Sequence, residues 1–244
     1  SGYALKGGLY FLVEKKYRTG QKARCHLIEF VCGRERHVTR STFGAELFAC
    51  CDTTDLAMLL ACLLHQVDFG SMTPAAARQC RENNGWKVAI DVAVDAYSVY
   101  AAITASQVKA PAEKALLSHV QYMRELLDRR IVETLIWFDT RDMFADGLTK
   151  GSVEREALHT VMEGTLQVQH KQERWTTKLH TTKFASAAED SIVNEDFVGL
   201  QSRHLLCASL LVRTCADSPV VVTALAMASQ TPTGDPPSPP LSLG

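Results

Sequence analysis

Three carboxylates in this chain lie where helices and strands are expected to begin or end. Asp95 closes an alternating apolar run, Asp146 precedes a helical stretch, and Glu46 falls in the first turns of an earlier helix. The carboxyl ends of strands in an α/β sheet form ligand crevices. Carboxylates that converge there suit Mg²⁺, which prefers oxygen ligands, keeps waters and binds phosphates. Two such ions about 3.5–4 Å apart could hold the attacking water and the leaving oxygen of a phosphodiester.

A second interpretation is open for Asp146, which lies in the stretch TRDMFADGLTKG from Thr140 to Gly151. Asp142 and Asp146 would share one helical face if a helix began early enough. Gly147 favours a helix that starts at or beyond Asp146 instead. An acid near a helix N-cap stabilises the helix without any catalytic role. These residues alone leave both interpretations of Asp146 open, as a helix cap and as a residue that takes part in chemistry.

Geometry makes other nearby acids weaker candidates. On the helix that carries Glu46, Asp52 lies about 240° around the axis and Asp55 about 180° around it, so neither can share its site. Asp91 shares a strand face with Asp95 but lies two pleats earlier. Asp91 could equally be a buried acid whose carboxylate is satisfied by hydrogen bonds or an ion pair.

The pattern of apolar residues predicts the elements that must position these acids. Two β-rich runs, 9–14 and 23–31, flank a polar loop and predict a hairpin. A helix capped by Ser41 or Thr42 should extend to about Val67. Its expected core face consists of Leu56, Leu59, Leu60, Leu63 and Val67. The later expected elements are helix 75–82, strand 88–95, helix 98–105, helix 112–129, strand 132–138 and a helix from Asp146 or Ser152 to about Met162. This order predicts a three-layer α/β domain with a mixed sheet.

The composition shows no excess of basic residues of the kind that would indicate nucleic-acid binding by the chain as a whole. The chain has 244 residues, with 26 Lys and Arg against 27 Asp and Glu. Any contact with nucleic acid must therefore rest on a local patch. The best basic cluster contains Arg34, Arg36, His37 and Arg40, and a solvated surface loop explains it equally well.

The sequence predicts an intracellular protein, cytoplasmic or nuclear, that is neither secreted nor inserted in a membrane. The apolar run 56–64 is too short to span a bilayer, and charges and a proline interrupt the run 205–227. The eight cysteines include no C-x-x-C pair, and we expect no signal peptide, so reduced cysteines used for packing are expected. Residues 229–244 hold five of the eight prolines and are expected to form a disordered tail.

Four segments occur in an informative order and spacing: TRSTFGAE (39–46), VDAYSVYAAI (94–103), MRE (123–125) and WFDTRDMFADGLTK (137–150). Together they resemble the ribonuclease H domain at the end of copia-type retrotransposon polyproteins. The resemblance covers roughly residues 7–175, and ADGLTK is its most specific element. It implies a ribonuclease H-like three-layer fold and hydrolysis of the RNA strand of RNA–DNA hybrids. It also implies the reverse transcriptase portion of the same polyprotein as a partner.

The resemblance also implies a role for each of the three carboxylates. Glu46, Asp95 and Asp146 would be the catalytic, metal-binding carboxylates of a two-metal site for Mg²⁺ or Mn²⁺. Asp95 would bridge both ions, Glu46 would hold one ion and Asp146 the other, so the three should lie close together. The remaining candidates come from the residues themselves and not from the resemblance. Lys150 could orient Asp146 or complement the substrate, and the candidate nucleic-acid contacts are Arg34, Arg36, Arg40 and Lys150.

One departure from the family affects the expected activity. The family carries a first catalytic Asp on a strand just before the hairpin, whereas this chain has no Asp before Asp52. We therefore expect the first strand to be missing, which would expose sheet edges, and the endonuclease to be an impaired fragment of a transposable element. The alternative is a non-catalytic α/β module derived from such an element and retained for nucleic-acid or protein binding. The expected organisation is a truncated ribonuclease H-like domain (1–165), a C-terminal extension (166–228) and the tail (229–244).

Three further side chains have two interpretations each. His119 could assist proton transfer or be a structural histidine on a helix. Trp137 and Phe138 could stack on a base, but aromatic residues in a strand usually belong to the core.

Overall fold

The computed structural model describes residues 4–14, 20–35, 40–107, 111–149, 156–177, 203–206 and 220–230. The strands in these ranges are β1 (Ala4–Glu14), β2 (Lys22–Arg34), β3 (Val88–Val94), β4 (Thr134–Phe138), β5 (Thr165–Gln167), β6 (Gln172–Trp175), β7 (Arg203–Leu206) and β8 (Val220–Gln230). The helices are α1 (Thr42–Phe69), α2 (Pro74–Glu82), α3 (Tyr97–Thr104), α4 (Leu117–Asp128), α5 (Asp146–Thr149) and α6 (Glu156–Met162). Short 3-10 turns cover Lys114–Leu116 and Thr140–Asp142.

The strands form a mixed sheet in the order β5-β2-β1, then β7 and β8, then β3-β4-β6. β1 pairs antiparallel with β2 and with β8, whereas β3 pairs parallel with β8 and with β4. The outer strands β5 and β6 pair antiparallel with β2 and β4. The chain is therefore an α/β protein with a mixed sheet, as the order of elements predicted.

Two adjacent glycines of β1 show that helices cover both faces of the sheet. A Cβ atom added to Gly8 would lie 3.4 Å from Oγ1 of Thr53 in α1. A Cβ atom added to Gly7 would lie 2.9 Å from Cγ2 of Thr149 in α5. Successive residues of a strand face opposite sides, so α1 and α5 lie on opposite faces. The missing side chain at Gly7 also lets α5 approach the strand closely.

The remaining helices extend these two layers. Tyr122 of α4 donates a hydrogen bond from its hydroxyl to the Asp55 carboxylate of α1, so α4 lies beside α1. The Cys25 thiol of β2 donates to the carbonyl of Val161 in α6, at a distance of 3.6 Å. α6 packs on β2 and β5 at this point.

Local signals located most elements correctly. The predicted hairpin is β1 and β2, although both strands are longer than expected. The side chain of Ser41 accepts a hydrogen bond from the backbone N–H of Gly44 (3.1 Å) and caps α1 as predicted. α5 begins at Asp146, and α6 ends at Met162. The predicted apolar side of α4 is also buried, at Leu116, Val120, Met123 and Leu127.

The predicted core face of α1 is wrong in its outer half. Leu59, Leu63 and Val67 are 62%, 57% and 74% exposed. Because α1 is apolar on nearly every side, its periodicity does not identify the face that packs. The helix instead approaches the sheet through mostly small residues, which permit close contact. The buried residues of α1 all lie before Cys62; they are Gly44, Ala45, Glu46, Leu47, Ala49, Cys50, Cys51, Thr53, Thr54, Ala57, Leu60 and Ala61.

α1 is also long and apolar enough to cross a membrane by length and composition alone. Half of its most apolar window is buried inside the fold. A core helix of a soluble protein has the same features, and the packing of α1 on the sheet accounts for its apolar character. The six cysteines in the described ranges are free, as expected for reduced thiols.

The C-terminal strand β8 occupies the centre of the sheet. It pairs with β1 over residues 4–7 and 12–14, and with β3 at Ile90. β7 shares this position over a shorter stretch, where Leu205 is in register with both Leu12 and Ile90. The edges of β1 and β3 that we expected to be exposed are therefore paired. Strands β6 and β8 follow residue 165, the expected end of the first domain, yet they belong to the same sheet as the earlier strands. Residues 231–244 of the expected tail lie outside the described ranges.

Candidate carboxylate site at one end of the sheet

The direction of α1 brings Glu46 to the end of the sheet where Asp95 lies. At the last turn of α1, Asp68 forms an ion pair with Lys87, just before β3 begins. Eight residues of strand from Lys87 to Asp95 span about 26 Å. The 22 residues of helix from Asp68 back to Glu46 span about 33 Å. Glu46 therefore lies at the end of the sheet that carries Asp95, about 7 Å beyond the level of Asp95.

The strand register brings Asp146 to the same end. Ile90 of β3 is in register with Val222 of β8, and five residues further along these parallel strands Asp95 is level with position 227. Met227 is in register with Gly7 of β1. The Ala145 carbonyl, one residue before Asp146, would lie 3.3 Å from a Cβ atom at Gly7. Asp95 and Asp146 thus reach the same level of the sheet.

The three acids do not reach this end of the sheet from the same side. Glu46 is 7% exposed on α1, and Asp146 is 5% exposed at the start of α5, on the opposite face of β1. Asp95 follows β3 directly and is half-buried. The described ranges contain no group of three or more His, Cys, Asp or Glu side chains that could hold a metal ion. The two-metal site therefore stays a prediction.

Asp142 has a structural role that does not involve the helix of Asp146. It lies in the 3-10 turn after β4 and is 4% exposed. Its carboxylate accepts hydrogen bonds from the backbone N–H groups of Gln169 (3.2 Å) and His170 (2.7 Å). Nδ1 of His170 lies 2.9 Å from the same carboxylate. Asp142 therefore ties the turn after β4 to the loop between β5 and β6.

Asp91 is a buried acid with partners, which was one of its two interpretations. It is 1% exposed, and Arg174 of β6 donates a hydrogen bond to its Oδ2 at 3.1 Å. Burial raises the pKa of Asp91 to about 7, although Arg174 and a hydrogen bond with Thr134 act in the opposite direction. Asp91 therefore belongs to the sheet interior and not to the end that carries Asp95.

We expect the stability of the fold to fall between pH 4 and pH 8 because of Asp91. Its folded pKa of about 7 lies above the pKa of 3.8 that an aspartate has in the unfolded chain, so its contribution is fully present below about pH 4 and is lost as the pH rises through 7. Asp91→Asn should be as stable as the parent at pH 4 and more stable at pH 8, by up to about 4 kcal/mol. Urea unfolding at both pH values measures this. An equal loss of stability in both proteins would show that other groups cause the pH dependence.

The other predicted contacts have mixed outcomes. Phe138 is fully buried, so it belongs to the core. His119 packs edge-to-face on Phe48 with ring centroids 4.6 Å apart, which matches the structural interpretation. Arg34 and Arg40 are exposed on either side of residues 36–39. Arg36, His37 and Lys150 lie outside the described ranges.

Sequence reasoning missed two residues at this end of the sheet, Tyr97 and Lys171. Tyr97 is 53% exposed, and its ring lies 5.4 Å from the ring of Trp137 at an interplanar angle of 82°. Nζ of Lys171 lies 5.7 Å from the centroid of the Trp137 ring. The only available signal was an aromatic residue two positions after Asp95. The contact with Lys171 joins residues 34 positions apart and could not be read from the sequence.

Comparison of the chain with protein-family models, with curated proteins and with solved structures finds no match.

Proposed function

We propose that this chain is a ribonuclease H-like domain of retrotransposon origin in which hydrolysis of RNA–DNA hybrids is impaired. The observation that carries the proposal is that α1, β3 and α5 bring Glu46, Asp95 and Asp146 to one end of a mixed sheet. These acids come from separate elements, in the chain order that the resemblance implies. The reverse transcriptase portion of the same polyprotein is the protein partner that the proposal implies.

The strand order supports the ribonuclease H-like fold. The hairpin β1–β2 pairs antiparallel, and a central strand then joins it to the parallel pair β3–β4. Helices lie on both sides of this sheet. In the family that the chain resembles, the central place belongs to the strand that precedes the hairpin. Here β8 occupies it.

The residue at position 227 of β8 explains why we propose that the hydrolytic activity is impaired. It is level with Asp95, and it is paired with Gly7, which faces α5. Cross-strand partners share a face of the sheet. A carboxylate at this position would therefore be on the face that carries Asp146, but the residue there is Met227. Glu46, Asp95 and Asp146 would be the ligands of Mg²⁺ or Mn²⁺, which would activate water and stabilise the leaving oxygen. The described residues form no group of three such ligands.

The activity of the unmodified chain tests this proposal. With an RNA–DNA hybrid and Mn²⁺ we expect slow cleavage, confined to the RNA strand, at a rate orders of magnitude below that of an intact two-metal enzyme. Asp95→Asn should abolish it, because the amide keeps the shape of the carboxylate and removes its charge. Gel analysis of strand-specific labels measures both rates. Asp52→Asn is the matched control, since Asp52 lies on another side of α1. Cleavage that survives Asp95→Asn would place the chemistry elsewhere.

Met227 also favours a second candidate, the non-catalytic α/β module. With Met227 at this position and no carboxylate there, the chain could retain only its binding surfaces. Hybrid binding without any strand cleavage, unchanged in Asp95→Asn, would support this module over the enzyme. Arg34 and Arg40, the described arginines of the predicted basic cluster, are exposed and could contact phosphates in either case.

A further inference from the structure

An indole ring is held in place beside the candidate site. Nε1 of Trp137 donates a hydrogen bond of 2.8 Å to the backbone carbonyl of Asp95. This bond joins the end of β4 to the end of β3 and fixes the plane of the indole. Trp137 is half-buried. A strand aromatic that served only the core would be covered, as Phe138 is.

Tyr97 extends this surface away from the sheet. Its ring packs edge-to-face against Trp137, and 53% of its surface is exposed. Tyr100 lies beside it, with ring centroids 6.0 Å apart and an interplanar angle of 35°. An exposed aromatic ring that its neighbours hold in one orientation can accept a flat ligand with little loss of conformational entropy.

The charges around these rings are locally balanced. Lys171 lies over the Trp137 ring but also forms an ion pair with Glu173. Arg141 makes two hydrogen bonds of 2.8 Å to the carboxylate of Asp139. A ligand held here would therefore gain more from stacking than from phosphate charge.

We propose that Tyr97, supported edge-to-face by Trp137, forms an aromatic platform that stacks the bases of a single nucleic-acid strand beside Asp95. Bases present a π-face whatever their sequence, so such a platform binds strands with little sequence preference. The platform would hold a strand so that its backbone passes the end of the sheet. The choice of nucleic acid as the ligand rests on the proposed function, whereas the platform itself does not require catalysis or a metal ion.

Binding of labelled oligonucleotides in EDTA tests the platform. The probes are a short oligodeoxyadenylate and an oligonucleotide of equal length with abasic sites, which keeps the phosphates and removes the bases. We expect Tyr97→Ala to weaken binding of oligodeoxyadenylate about tenfold or more, and Tyr97→Phe to retain it. Binding of the abasic probe should be weak and unchanged in both variants. Affinity should also depend only weakly on salt, since few counterions are released.

Phe69→Ala is the matched control. Phe69 is 58% exposed, like Tyr97, but it lies at the far end of α1. Its loss should leave oligonucleotide affinity unchanged. Equal affinity of Tyr97→Ala and the parent, or equal affinity for the abasic and intact probes, would overturn the platform. Because these measurements exclude metal, stacking could be confirmed even if the chain proves to have no hydrolytic activity.

Discussion

Met227→Asp is expected to raise the affinity of the chain for Mn²⁺ about tenfold or more, because the ion gains a charged ligand beside two existing acids. Position 227 pairs with Gly7 and is level with Asp95, on the face that α5 covers. The new carboxylate would join Asp95 and Asp146. Without metal, repulsion among these acids should lower the melting temperature. Mn²⁺ should then restore it, since a ligand that binds only the folded state stabilises that state. Cleavage of the RNA strand of a hybrid should rise in parallel.

Met227→Asn is the matched control for this gain. The amide has the shape of the aspartate side chain but not its charge, so this variant should leave Mn²⁺ affinity nearly unchanged. Thermal melting with and without Mn²⁺ compares the two variants independently of activity. If folded Met227→Asp bound Mn²⁺ no better than Met227→Asn, the proposed ribonuclease H ancestry of this site would be rejected.

Val222→Pro is expected to lower the free energy of unfolding by on the order of 3 kcal/mol or more, because proline removes a ladder hydrogen bond and does not fit a central strand. Val222 is in register with Leu12 of β1 and with Ile90 of β3. A break at this position should therefore affect both neighbouring strands. Unpaired edges of β1 and β3 should also promote association of the chain. Urea unfolding and gel filtration measure the two effects.

Leu205→Pro separates the contributions of the two C-terminal strands. Leu205 is in register with the same two residues, Leu12 and Ile90, but belongs to β7, which has only four residues. If β8 is the strand that holds the sheet together, Leu205→Pro should cost much less than Val222→Pro. The reverse order of stabilities would assign the central place to β7. Unfolding of both variants at the urea concentration of the parent would show that neither strand stabilises the sheet.

The sequence alone determined the elements that depend on neighbouring residues. The Ser41 hydroxyl reaches the N–H of Gly44 only three positions away, so the start of α1 is a local property. The alternation in β3 and the start of α5 at Asp146 are local in the same sense. These signals were also enough to locate Glu46, Asp95 and Asp146 at the ends of elements. Proximity in the sequence accounts for all of these predictions.

Only the tertiary structure decided which surfaces meet. The apolar pattern of α1 suits several packing faces, and the sheet selects the one rich in small residues, which leaves Leu63 exposed. Asp142 binds backbone groups 27 and 28 residues away, so its local sequence could not reveal its role. The pairing of Met227 with Gly7 joins residues from opposite parts of the chain. Such contacts depend on loop closure and on competition among strands for one edge, and periodicity carries no information about either.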